Sequence, residues 1–188
     1  GGAIRRLYSR RLQQLNLPQR PLETARGITS EIIILTDPAT GARRHTFWFR
    51  TFRQSGEVIY CGSYSTTRLP DGRACVKVCF PLPNGSATVL MSIAVGKAGE
   101  RVLASSGRGY GDPGFYFVLR NARGRLWARY LRSMREQITV YGADDPAEPE
   151  ALRADHVLSV WGLEAVRLHY KMSPKASGRE NLTPAAPA

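Results

Sequence analysis

The sequence predicts a mainly β protein, an antiparallel meander that closes into a barrel or curves strongly, with a short helix at its N-terminus. Turn sequences recur at short intervals: Pro38-Ala39-Thr40-Gly41, Pro70-Asp71-Gly72, Pro83-Asn84-Gly85, Gly96-Lys97-Ala98-Gly99 and Asn121-Ala122-Arg123-Gly124. Asp-Gly and Asn-Gly supply the positive-φ residues that tight hairpins need. The runs between them are strand-sized, rich in β-branched and aromatic residues, and alternate with a period of two. The 188 residues are enough for one well-buried core and short for two, so a single domain over 3–172 is expected.

Gly1 and Gly2 are set aside, and Ile4 to Leu15 then reads as a short amphipathic helix. Ile4, Leu7, Tyr8, Leu12 and Leu15 fall near helical spacing, and Arg5, Arg6, Arg10 and Arg11 take the other side. Pro18 and Pro21 end it. The strand-like runs follow: Glu31–Thr36, Thr46–Arg53, Val58–Ser65, Ala74–Phe80, Ala87–Val95, Val102–Ser105 and Phe115–Arg120. Leu152–Trp161 and Leu163–Met172 form a last pair across Gly162, after an acidic loop at Asp144–Glu150. Ser173 to Ala188, polar with four Ala and three Pro, is expected to be disordered.

Leu126–Tyr141 reads two ways. Leu126, Trp127, Tyr130, Leu131, Met134 and Ile138 recur at helical spacing, which would give an α+β fold with a helix near 126–138. The Asn121–Gly124 turn instead makes Phe115–Arg120 and Leu126–Leu131 two arms of a hairpin, and this strand reading is preferred. Counted so, the chain has about ten strands. Barrel closure is the simplest way to protect their edges, and in element order alone the result resembles a lipocalin barrel, by analogy only.

Charge is the unusual bulk property. Lys and Arg number 27 against 15 Asp and Glu, a net +12, with a run of six Arg and no acid over Arg120–Arg135. Such a field attracts anions, so nucleic acid or an acidic protein is a partner to consider, though not the favoured one. No apolar run reaches the length that spans a bilayer, so no transmembrane segment is expected. Three cysteines, Cys61, Cys75 and Cys79, cannot complete a disulfide framework, and a reducing, cytoplasmic setting is expected.

No catalytic, metal or cofactor motif stands out, and neither metal nor cofactor is expected. The glycine-rich stretch Ser105–Phe117 has the spacing of a phosphate loop but leads into an aromatic strand rather than a helix. It reads as a wide turn or as a loop at a pocket mouth, with Arg108, Tyr110 and Asp112 able to contact a polar ligand. A barrel of about ten strands is wider than its side chains readily fill. Phe49, Tyr60, Tyr64, Tyr116, Trp127, Tyr130, Trp161 and Tyr170 are candidate lining residues, with Arg108, Arg129, Arg167 and His169 as polar contacts. His156 and His169 lie on the last two strands. A tight turn at Gly162 puts position 156 opposite about 168, which makes the two rings candidate diagonal neighbours. Asp155 points away from His156 and cannot orient it.

The functional expectation is a small, largely apolar, anionic or neutral molecule held in the interior, by a carrier or by a cofactor-free cyclase or isomerase. The alternatives are a basic interaction module and a structural subunit. Strand parity decides which side chains face inward.

Overall fold

The computed structural model describes residues 27–82, 84–142 and 150–172. The helix expected at 4–15, most of the acidic loop and the tail at 173–188 lie outside these residues. The described chain forms eleven strands: β1 (Ile28–Thr36), β2 (Arg43–Phe52), β3 (Val58–Arg68), β4 (Ala74–Leu82), β5 (Gly85–Val95), β6 (Arg101–Ala104), β7 (Gly114–Arg120), β8 (Leu126–Leu131), β9 (Met134–Gly142), β10 (Leu152–Val160) and β11 (Leu163–Met172). All pairings are antiparallel, and no helix occurs among the described residues.

The helix alternative at 126–138 is overturned by β8 and β9. Asn121 is the local cause: its Oδ1 accepts from the backbone amides of Arg123 and Arg125 at 3.0 Å each, and Gly124 takes φ 76°. This turn sets β7 against β8, from Arg120 opposite Leu126 to Phe115 opposite Leu131. The helix-like spacing of apolar residues arises because β8 and β9 are joined across only Arg132 and Ser133.

β5 joins two layers. Its first half, Gly85–Leu90, pairs with β7, and Ser92–Val95 pairs with β6. One layer therefore runs β1-β2-β3-β4-β5-β7-β8, and the other continues from β5 through β6, β9 and β10 to β11. β1 and β11 each have one paired neighbour, so the sheet is open and the expected barrel closure is not found. β8, paired only with β7 among the described residues, is a third edge, and exposed Ile32 and Ile34 on β1 and Leu163 and Met172 on β11 mark the other two.

Cross-strand partners share a face, so the pairing fixes what lies inside. Val78, Val89 and Met91 are the buried centre, packed by Tyr64, Val76, Phe80 and Phe115 of their own layer and by Leu103 and Ile138 of the other. Following the register outward places Trp48, Arg50, Tyr60 and Tyr64 on the inner face of the first layer. Glu136, His156, Leu168 and Tyr170 come to the inner face of the second.

Candidate functional site

Polar and aromatic side chains from both layers meet between them, beside the aliphatic core. On β3, Tyr60 and Tyr64 point the same way with Gly62 between them, and their hydroxyls hydrogen-bond to each other. A Cβ at Gly62 would lie 2.8 Å from the Tyr60 hydroxyl oxygen, so a larger residue would push that phenol aside. The missing side chain leaves the space in which the phenols meet. Trp48 of β2, opposite Gly62, packs edge-on to Tyr60 at 5.7 Å and donates its indole N–H to Ser30 Oγ at 2.6 Å. Phe80 of β4 closes the other side of Tyr60 at 5.3 Å.

Arg50, opposite Tyr60, places its guanidinium carbon 5.2 Å from the Trp48 ring centroid. Its Nε is shut away from solvent and has no hydrogen-bond partner among the described residues. From the second layer, His156 Nε2 and Glu136 Oε1 are 2.6 Å apart, and the imidazole stacks on Tyr170 at 6.4 Å. Side-chain exposure is 24% for His156 and 14% for Glu136, so water screens this pair poorly.

Burial, reinforced by Tyr64, Glu136 and Tyr170, pushes the Tyr60 phenol far above its ordinary range. Burial also raises Tyr64 and Tyr170, while Arg50 pulls both back. All three are therefore neutral hydroxyls at ordinary pH. The cluster offers one half-buried cation, a carboxylate–imidazole pair and phenolic donors against an aromatic wall. That set can bind a polar or anionic group and can move a proton.

The residues expected from sequence divide between this site and elsewhere. Tyr60, Tyr64 and Tyr170 are in it. Phe49 faces the opposite side of β2, opposite Cys61. Arg108, Tyr110 and Asp112 belong to the glycine-rich loop, and Tyr116 of β7 and Tyr130 of β8 face it on the outer side of the first layer. Asp112 Oδ2 accepts from the amides of Arg108 and Gly109 at 2.8 and 3.1 Å. The Tyr116 hydroxyl donates to Asp112 O at 2.5 Å and accepts from Gly111 N at 3.0 Å. Tyr130 donates to Gly107 O at 2.8 Å, and exposed Tyr110 packs on Tyr116 at 5.7 Å. These polar groups mostly hold the loop's own backbone. Trp127 is exposed on β8, and Trp161 is 83% exposed in the β10–β11 turn.

His156 and His169 are not diagonal neighbours. Position 156 does pair with 168, so residue 169 faces the other way. His169 instead meets Asp155 on the outer face, Nδ1 to Oδ1 at 2.6 Å, and Tyr141 donates to the same oxygen at 3.3 Å. An open cleft of about 500 Å³ there is lined by Tyr141, Arg153, Asp155, His169 and Lys171. Arg167 also lies outside, paired with Glu164. Trp48, Arg50 and Glu136 were not among the residues expected at a site. The signal was the alternation of Trp48 and Arg50 with Phe47 and Phe49, which shows two faces without saying which is inner.

Among the described residues no group of three His, Cys, Asp or Glu side chains could hold a metal ion, and no helix is long and apolar enough to cross a membrane. No protein family, curated protein or solved structure matches this chain.

Proposed function

We propose that the space between the two layers binds a small, largely apolar molecule carrying an anionic group. The observation that supports this reading most is the Arg50 Nε, buried without a partner among the described residues beside Trp48, Tyr60 and Tyr64. An unpaired polar atom is costly in an interior, and a bound carboxylate or sulfonate would supply the missing acceptor. Aromatic walls with a few convergent polar groups are the usual make-up of such sites. A carrier needs no more than this, and a cofactor-free enzyme needs one further acid–base group. The odd number of thiols is compatible with a reducing, cytoplasmic setting.

Titration with anilinonaphthalenesulfonate, an apolar dye with one anionic group, tests the reading. One saturable site is expected, and Arg50→Ala should weaken it about 10–100-fold, the worth of a charged hydrogen bond. Binding of a neutral apolar dye should change far less. No enclosed dye, or equal effects on both dyes, would refute the assignment.

The β7–β8 hairpin and its connection into β9 support a second reading, a polyanion-binding surface. Arg120, Arg123, Arg125, Arg129, Arg132 and Arg135 are all exposed, and none is in an ion pair among the described residues. Exposed Leu126 and Trp127 lie within the same stretch. If it binds nucleic acid, replacing Arg123, Arg125 and Arg129 with Ala should flatten the slope of log affinity against log salt by about 2–3 on oligothymidylate. An unchanged slope would leave the interior as the sole lead.

A further inference from the structure

The anion-binding reading uses Arg50 and the aromatic wall and leaves the Glu136–His156 pair without a task. The pair sits on the inner faces of β9 and β10, within electrostatic reach of the phenols of β3 and β11. A surface pair can be incidental, but a half-desolvated imidazole has to be held against the loss of water, and here a carboxylate fixes it from one side and Tyr170 from the other.

We propose that His156, positioned by Glu136, is the proton-transfer base of a cofactor-independent site acting on carbon acids, apolar molecules with a C–H next to a carbonyl. This rests on the binding reading above and names what the bound molecule undergoes. With Nε2 engaged by Glu136, Nδ1 is the nitrogen with no partner among the described residues. Nδ1 takes the proton; the C–H electron pair becomes a carbon–carbon π bond, and the carbonyl π pair moves onto oxygen. That oxygen accepts a hydrogen bond from whichever of the Tyr60 and Tyr64 hydroxyls is not donating to the other, and burial keeps both protonated. In a β,γ-unsaturated carbonyl compound the imidazolium then returns the proton to the γ-carbon, and the product is the conjugated isomer. Substrate and product have the same atoms, so no oxidant, reductant or second substrate enters. Arg50 anchors an anionic group elsewhere on the molecule, and Glu136 is a positioning residue that acts through the ring.

The experiment uses the full chain and nitrobenzisoxazole, a flat apolar carbon acid. Loss of its C–H proton to a base breaks the N–O bond and leaves a yellow cyanonitrophenolate, so the rate reads proton abstraction directly. The expected result is saturable elimination at one site, about 100-fold slower in His156→Gln, the usual contribution of a general base. Glu136→Gln should lower kcat about 10-fold with KM within about twofold, the split expected of a group that orients a base rather than binds the probe. His45→Gln, an exposed histidine on β2, should leave the rate unchanged. Dye titration of each protein runs in parallel and reports folding and binding. Should dye bind in the wild type while elimination is absent, or be equally fast in His156→Gln, the proton-transfer assignment is overturned and the binding reading stands. If a folded wild type binds no dye, both fall.

Discussion

Two histidine–carboxylate pairs flank β10, one on each face. His156 meets Glu136 inside and His169 meets Asp155 outside, and both separations are 2.6 Å. Their surroundings differ. The inner side chains are 24% and 14% exposed, whereas the outer ones are 67% and 33% exposed and open onto a broad cleft. At the same distance, water and salt weaken the outer pair several-fold more than the inner. Burial among phenols and a lone guanidinium, more than the pairing itself, distinguishes the inner pair as a site.

One irregularity in β11 keeps the pairs apart. Ser159 pairs with Glu164, but Leu158 pairs with Val166, so Ala165 is an extra residue opposite the Leu158–Ser159 step. A ladder continued straight from the two-residue turn at Trp161-Gly162 would put 167 opposite 156, with His169 inside and Tyr170 outside. The bulge reverses both. Inserting one Ala after Arg167 should therefore have the largest effect of any change here, because everything downstream changes face and no spare residue is left to restore it. His169 and Lys171 would turn inward toward Arg50, and Leu168 and Tyr170 would turn out. A loss above about 3 kcal/mol is expected in urea unfolding, the scale of a buried unpaired charge added to lost packing. Deleting Ala165 removes only the bulge, keeps every later pairing, and should cost much less. Equal losses would show that register at β11 does not decide which pair is buried.

The next largest effect comes from the pairs themselves. Glu136→Ala should cost about 2–3 kcal/mol, since it leaves the His156 ring in the interior without its acceptor. Asp155→Ala should cost no more than about 1 kcal/mol, as exposed ion pairs do. A reversed order would mean that the comparison of faces has been drawn the wrong way round.

Much of this was legible in the sequence, for identifiable reasons. The hairpins followed from turn chemistry: Asn121 and Gly124 form the turn that sets Leu126–Leu131 against β7 as a strand. Tyr60, Tyr64 and Tyr170 were recognisable as interior aromatics. Arg50 and Glu136 were not, because a charged residue on an alternating strand is ordinarily on the wet face. The partners that make them inner residues come from strands far apart in sequence. Nor could the Ala165 bulge be read, since nothing in Glu164-Ala165-Val166 marks it. Closure did not follow from strand number, because β1, β8 and β11 each keep one edge without a neighbouring strand among the described residues.

The smallest expected effect separates the faces by pH. Burial raises the Tyr60 phenol, and its neighbours Tyr64 and Tyr170, above the unfolded value of about 10. The folded state therefore holds protons that the unfolded chain releases. The resulting stability is fully present below pH about 10 and is lost as pH rises above it toward the folded values. For one such group the slope approaches about 1.4 kcal/mol per pH unit. Tyr60→Phe has no proton to hold in either state. At neutral pH it should be less stable by about 1 kcal/mol, having lost the hydrogen bond with Tyr64. Above pH about 10 the wild type should lose stability faster, so the two urea-unfolding curves converge as pH rises toward about 11. Parallel curves across that range would mean that the Tyr60 hydroxyl reaches water, and the low-dielectric interior inferred around Glu136 and His156 would be wrong.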